Sequence, residues 1–504
     1  MTNRTPHLRV LVAWALTSAT LLATSAFGQA AEGQPPSDLE AEVAAVKAEN
    51  AAVREQLRKL EEQQKKLLEL IEQLQRRLDG SAIAEKPPTA PPPGEAQPAQ
   101  ASAPAAAVER YQDGIVLAKT ADDAKIPVLL KLNDNTQFRY LNTLDSDDTF
   151  VDHLGTVHEV HTRNDFTVNR AMLVFNGYVF DKRLQYSFTI WTAAGAASIV
   201  IAGNVGWRFN KGLTLTGGYN GGPGVRSLTN TFPFFTGVDR SMADNFFRPG
   251  FTQGVWANGE PLHGLNYQVF VGNGLNTLNI SATKIDTNLL FAGNVWWEPL
   301  GPYAEPGKSR NMYDDYFASK TTRIRLGTAF TRSREDRFSN LEQTTPDNTS
   351  IYNSDGVLAF STGAFAPGVT VEEALFRLWS IDVGVKWNGL AINGQYYMRW
   401  LDEFEADGPL PLTSTFDRGF ELSASYFVIP RKLLVYGRGS AVDGEFGDSR
   451  EYAGGAKWHF LPTERFWMQG ELMRVNGAPY SGAFTPYTAG LDGWVAVIQT
   501  VLAF

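Results

Sequence analysis

Beyond about residue 126 the side chains alternate between apolar and polar with a period of two. Trp379, Ile381, Val383, Val385 and Trp387 are interleaved with Ser380, Asp382, Gly384, Lys386 and Asn388. An extended strand with this pattern carries one apolar and one polar face. Ile324, Leu326, Thr328 and Phe330 oppose Arg323, Arg325 and Gly327 in the same way, and Phe420, Leu422, Ala424, Tyr426 and Val428 oppose Gly419, Glu421, Ser423 and Ser425. These runs are long and often finish in Trp, Tyr or Phe, as strands do when they cross a lipid core between aromatic girdles. Sixteen such strands are expected, starting near residues 127, 163, 183, 199, 213, 250, 263, 286, 320, 376, 390, 416, 431, 452, 464 and 489.

The connections sort by parity. Every second one is tight: 181–183, 210–212, 260–263, 388–389, 429–431 and 461–463. Those between are mostly long: 142–162, 221–249, 273–285, 334–375, 402–415, 441–451 and 476–488. Short turns at one end and long loops at the other predict an all-β transmembrane barrel of about 16 antiparallel strands over 126–504. Two joins fit badly: 299–319 is long where a turn is due, and 193–198 is short where a loop is due. The final strand sets Phe504, Leu502, Thr500, Ile498, Ala496 and Trp494 on one face, which resembles the signal read by bacterial barrel-insertion machinery.

Nearer the N-terminus the period changes to 3.5. Val43, Asn50, Leu57, Gln64, Ile71 and Leu78 occupy a positions, and Leu39, Val46, Val53, Leu60, Leu67 and Leu74 occupy d positions. An α-helical coiled coil over 38–79 follows, because only association with sister chains buries that stripe. At ~1.5 Å per residue the rod is about 60 Å long, suited to a periplasmic spacer. Residues 80–110 are rich in Pro and Ala, which predicts a semi-rigid linker. Arg4 and Arg9, an apolar run from Val10 to Ala26, and the small residues around Gly28 and Ala30 predict a signal peptide over 1–30, with an uncleaved anchor as the alternative.

Composition narrows the function. There is no cysteine, so stability comes from packing or from a closed sheet. The net charge of -9 argues against nucleic acid as a partner. His153, His158 and His161 lie among Asp145, Asp147, Asp148, Asp152 and Glu159, which predicts a solvated acidic loop in preference to a metal site. No nucleophile with a His and an acid at the rim is recognisable, so neither an enzyme nor a cofactor is expected.

The stretch Arg163 to Trp191 (RNDFTVNRAMLVFNGYVFDKRLQYSFTIW) resembles the opening strands of the phosphate-selective porin O and P family. Arg240 to Asn273 (RSMADNFFRPGFTQGVWANGEPLHGLNYQVFVGN) resembles that family's passage from a pore-constricting loop into the next hairpin. The resemblance covers roughly 126–504. It implies an outer-membrane porin, a homotrimer of sixteen-stranded barrels, and a three-stranded rod.

By alternation Lys131, Arg139, Arg208, Arg323, Arg325, Lys386, Arg399, Lys432, Arg438 and Lys457 face the lumen, where rings of cations attract anions. Asp165, Asp382, Asp417, Glu421, Glu451 and Glu471 share that face, so a mixed-charge lumen is the alternative to an anion filter. Residues 221–249 are too long and too apolar for a solvated loop, and are expected to fold inward and set the constriction, tuned by Arg226, Asp239, Arg240, Asp244 and Arg248. The alternative places that loop on the rim or against a neighbouring subunit. The resulting expectation is a water-filled channel in the outer membrane for passive diffusion of small ions and solutes, with small anions, phosphate included, as candidate cargo. A structural tether, with the rod as spacer in contact with the cell wall and the barrel as anchor, is the rival reading.

Overall fold

A computed structural model describes Arg58, residues 110–193, 198–229, 231–275, 285, 287–303, 312–337, 351–482 and 484–504. The chain falls into two compact units, Met1–Ala103 and Pro104–Phe504. The signal peptide, the coiled coil and nearly all of the linker lie outside the described residues; Arg58, within the heptads, is helical and exposed.

The second unit begins with β1 (Ile115–Lys119) and β2 (Val128–Leu144), followed by a small hairpin, β3 (Thr149–Val151) and β4 (Val157–Glu159). Then come β5 (Asn164–Val179), β6 (Asp181–Ala193), β7 (Ser198–Asn210), β8 (Leu213–Gly221), β9 (Phe251–Leu262), β10 (Leu265–Asn273), β11 (Leu289–Trp297) and β12 (Arg323–Asp336). The remainder are β13 (Val371–Trp387), β14 (Leu390–Ala406), β15 (Ser414–Ile429), β16 (Leu433–Gly444), β17 (Gly447–His459), β18 (Phe466–Asn476) and β19 (Gly493–Ala503). Apart from β1, β3 and β4, each strand pairs antiparallel with the next, and β19 returns to β2, from Trp494↔Leu144 to Ala503↔Asn135. The result is a closed barrel of sixteen strands, each starting within five residues of its expected position. Closure leaves no free sheet edge in the wall. The seam is finished by Asp134, whose N–H donates to the Phe504 carbonyl at 2.8 Å and whose carbonyl accepts from Phe504 at 3.0 Å.

Local chemistry sets the turns. Asn388 and Gly389 have φ of 48° and 88°, the conformation a two-residue hairpin demands and one that Asn and Gly tolerate best. The long connection expected over 441–451 is instead a two-residue turn, because the ladder continues to Gly444↔Gly447. Phe446 at its tip is held from outside the hairpin: its N–H donates to Ser354 Oγ at 2.9 Å, and its ring stacks on His153 at 3.8 Å. The sheet also starts earlier than residue 126. β1 pairs with β2 on the edge that β19 uses further along, from Ile115↔Leu132 to Lys119↔Leu129. Lys131 Nζ reaches the Gln112 carbonyl at 3.2 Å, and Arg465 pairs with Asp113.

The alternation sorts the two faces as the sequence suggests. Trp379, Ile381, Val383, Val385 and Trp387 are exposed on the outside, and so are Leu326, Phe330, Phe420, Leu422 and Tyr426. The interior is not a uniformly wet tube. Leu141, Phe376, Tyr397, Leu401, Val475, Val495 and Val497 of the wall pack with Met242, Phe247, Ile351, Phe360, Tyr480 and Leu491 of inward-folded loops. The main apolar core therefore lies inside the barrel, toward its long-loop end.

Candidate functional site

The described residues of 222–250 fold into the lumen, and all of them are buried except Phe232, which is half-exposed. The segment holds one short helix, α1 (Met242–Phe247), capped by Ser241, whose Oγ accepts from Asp244 N at 3.0 Å. Wall carboxylates grip its backbone. Glu471 Oε2 accepts from Val238 N at 2.8 Å, Glu451 Oε2 from Met242 N at 2.8 Å, and Ser440 Oγ from Ala243 N at 3.3 Å. Glutamines hold its carbonyls: Gln469 Nε2 donates to Thr236 O and Gln499 Nε2 to Val238 O, both at 3.0 Å. A buried loop has to satisfy its backbone polar groups, and the polar face of the wall strands does so here.

Each predicted residue has a definite place. Asp239 Oδ2 accepts from Arg139 Nη2 at 3.2 Å and from Arg170 Nη1 at 3.1 Å, with all three side chains inaccessible. Arg226 donates from Nη1 to Asn393 Oδ1 at 2.9 Å, with its guanidinium carbon 4.1 Å from the Tyr313 ring centre and 5.0 Å from that of Tyr303. Arg240 donates from Nε to Ser227 Oγ at 3.3 Å and lies over Phe235 at 4.8 Å. Arg248 reaches Asn245 Oδ1 at 3.3 Å. Asp244 accepts from Ser227 Oγ at 2.8 Å, and Glu421 from Ser241 Oγ. These positions of the inward loop do come together.

The wall cations do not form an open ladder. Arg438 contacts Glu471 from Nε and Glu451 from Nη2, both at 2.9 Å, and Gly237 allows the contact because a Cβ there would stand 2.5 Å from Arg438 Nε. Arg399 pairs with Asp417 at 2.7 Å and stacks over Phe246 at 4.1 Å. Arg325 pairs with Asp382 at 2.6 Å. Lys457 pairs with Asp314 at 2.6 Å and donates to the Phe235 carbonyl. Lys386 donates to the carbonyls of Met312 at 2.7 Å and Tyr303 at 3.2 Å. Arg323 lies apart from the inward loop, near the turn end, donating to the Leu300 carbonyl. A buried charge is tolerable only when paired or well hydrogen-bonded, which is why these cations and acids share one face.

Sequence reasoning passed over Arg170, the glutamines and the residues of 298–322. The last had a signal in the misfit of length at 299–319. The histidine loop also departs from expectation, since it is ordered by partners and not merely solvated. His153 Nδ1 meets Asp355 Oδ2 at 2.6 Å, and His158 Nε2 meets Asp152 Oδ2 at 2.8 Å. Among the described residues no cluster suits a metal ion. Burial pushes the Asp152 carboxyl up, but hydrogen bonds from His158, Thr156 N and Leu154 N outweigh it and hold the group below its ordinary value. A depressed folded value means the contribution is complete above the unfolded value of about 4 and is lost as pH falls through the folded one. Amide exchange at Leu154 and Thr156 is therefore expected to accelerate below about pH 4, and constant protection on acidification would contradict it.

No protein-family model and no curated protein matches the chain. Among solved structures it is similar to OmpT of Vibrio cholerae, at 11% identity and a TM-score of 0.46, over 76% of this chain and 99% of that one. It is also similar to Pseudomonas putida OprB, at 9% identity and a TM-score of 0.45, over 74% and 94%. A third is the outer membrane channel DcaP of Acinetobacter baumannii, at 8% identity and a TM-score of 0.43, over 77% and 100%.

Proposed function

We propose that the barrel is a bacterial outer-membrane porin, a channel for passive passage of small ions and solutes. The observation that carries this reading is the inverted distribution of side chains. The outer wall is an exposed apolar band edged by aromatics, Trp297, Trp387, Phe209 and Phe460 toward the turn end and Phe166, Phe416 and Trp494 toward the other. Such a band is solvated by lipid and not by water. The inner wall carries the polar and ion-paired side chains described above. On this reading the short turns, the linker and the C-terminus face the periplasm. The heptads over 38–79 would there join three chains as a homotrimer and act as a spacer, able to reach the cell wall.

Small anions are favoured over cations, because most lumen cations are neutralised by acids whereas no described carboxylate pairs with Arg226. Guanidinium groups can bind phosphate bidentately, but paired charges offer it no continuous ladder, so chloride and phosphate are expected to pass alike. Planar bilayers with chloride, phosphate and potassium gradients test this. Arg226→Ala and Arg240→Ala should lower the anion-to-cation permeability ratio. Unchanged conductance and reversal potential would remove both residues from the constriction, and a cation-selective wild type would end the anion reading.

A further inference from the structure

Resting on the channel reading, we propose that residues 312–316, in the connection between β11 and β12, are a second selectivity element at the turn end of the pore, with Tyr313 and Asp314 as the residues that set passage there. The neighbouring turns at that end are short, such as Asn388–Gly389 between β13 and β14. This connection spans 298–322, and among its described residues Tyr303, Tyr313, Asp314, Asp315 and Tyr316 are all buried.

Its described residues are fastened to four wall strands. Met312 O and Tyr303 O accept from Lys386 of β13, and Tyr313 O accepts from Asn393 Nδ2 of β14 at 3.2 Å. Asp314 accepts from Ser425 Oγ of β15 at 3.2 Å and pairs with Lys457 of β17. The connection also meets the inward loop directly. Tyr313 N donates to Phe234 O at 3.1 Å, its ring packs edge-on against Phe235 at 6.0 Å, and Arg226 lies against its face.

Two spaces in the lumen flank this junction. One, of about 30 Å³, is lined by Tyr313 together with Arg240, Asp244, Glu421 and Arg438. The other, of about 220 Å³ and nearer the turns, is lined by Met312 and Asp314 together with Asp315, Lys320 and Lys386. Tyr313 thus borders the first space, and Met312 and Asp314 on either side of it border the second. On this assignment a solute moving from the inward loop to the turn end passes these residues. The narrow part of the pore is then a junction of two segments, and Arg226 is oriented by tyrosines that the second one supplies.

Single-channel recording on the full-length protein tests the assignment. Replacing a phenol by a methyl group widens the passage, so Tyr313→Ala is expected to raise conductance roughly twofold. Asp314→Asn keeps the shape but leaves Lys457 without its counter-charge, so it should shift the reversal potential toward anions with conductance nearly unchanged. A part that only fills space would not produce that second result. If Tyr313→Ala fails to give a heat-modifiable folded barrel, Asp314→Asn decides alone. Wild-type conductance and reversal potential in the folded variants would overturn this assignment and leave the channel reading intact. A wild-type barrel that passes no current would overturn the channel reading and this assignment together.

Discussion

Asp239→Ala is expected to lower the unfolding free energy of the barrel by about 3–5 kcal/mol, the usual cost of removing one partner from a buried charge cluster. Asp239 is a carboxylate that Arg139 and Arg170 both meet, and neither guanidinium has access to water in which to recover its solvation. The same substitution removes a side-chain tie of the inward loop to β2 and β5 and leaves Arg139 holding the Val238 carbonyl at 3.0 Å, so larger current fluctuations should accompany the loss of stability. Urea unfolding in detergent micelles and single-channel noise are the two measurements. Adding Arg170→Met to Asp239→Ala should cost less than the sum of the two single changes, because the second removes a charge that the first has stranded. Strict additivity would show that the cluster does not act as a unit.

The second large effect is expected on the opposite face of the wall. Ile381 of β13 points outward in the middle of the apolar band. Ile381→Arg places a guanidinium in the hydrocarbon core, at an expected cost of about 2–4 kcal/mol. Its inward neighbour Asp382 already carries a charge at almost the same height, tolerated because Arg325 meets it at 2.6 Å. Reversible unfolding in lipid vesicles measures the change. An Ile381→Arg barrel as stable as the wild type would mean that this face of β13 is not in contact with lipid.

Much of the wall was legible in the sequence, since period-two alternation reports which way a side chain points and turn residues such as Asn388 and Gly389 report where a strand reverses. Alternation says nothing about what lies opposite a given face. Val495 and Val497 face inward yet are apolar, because loops fill the lumen there, and the contrast between the faces of β19 fades accordingly. Ion pairing was hidden for a different reason. Arg438 and Glu471 lie on β16 and β18 with β17 between them, and only the register, Arg438↔Ala453 and then Ala453↔Met473, brings them together. The inward loop was recognisable from its phenylalanines. The segment 298–322 showed only as a length that did not fit, and its tyrosines gave no sign of which strands would hold them.

The seam between β2 and β19 also governs the order in which this molecule can be made. Arg139 and Gln499 hydrogen-bond at 3.0 Å although 360 positions separate them along the chain. Contacts of that range carry the largest loop-closure entropy and form slowly. β19 is synthesised after every other strand of the wall, so an intermediate that lacks it cannot close the ring. Until Phe504 reaches Asp134, the edge of β2 remains an open template for mispairing. The unclosed chain therefore has to be shielded from its sisters until β19 has paired with β2.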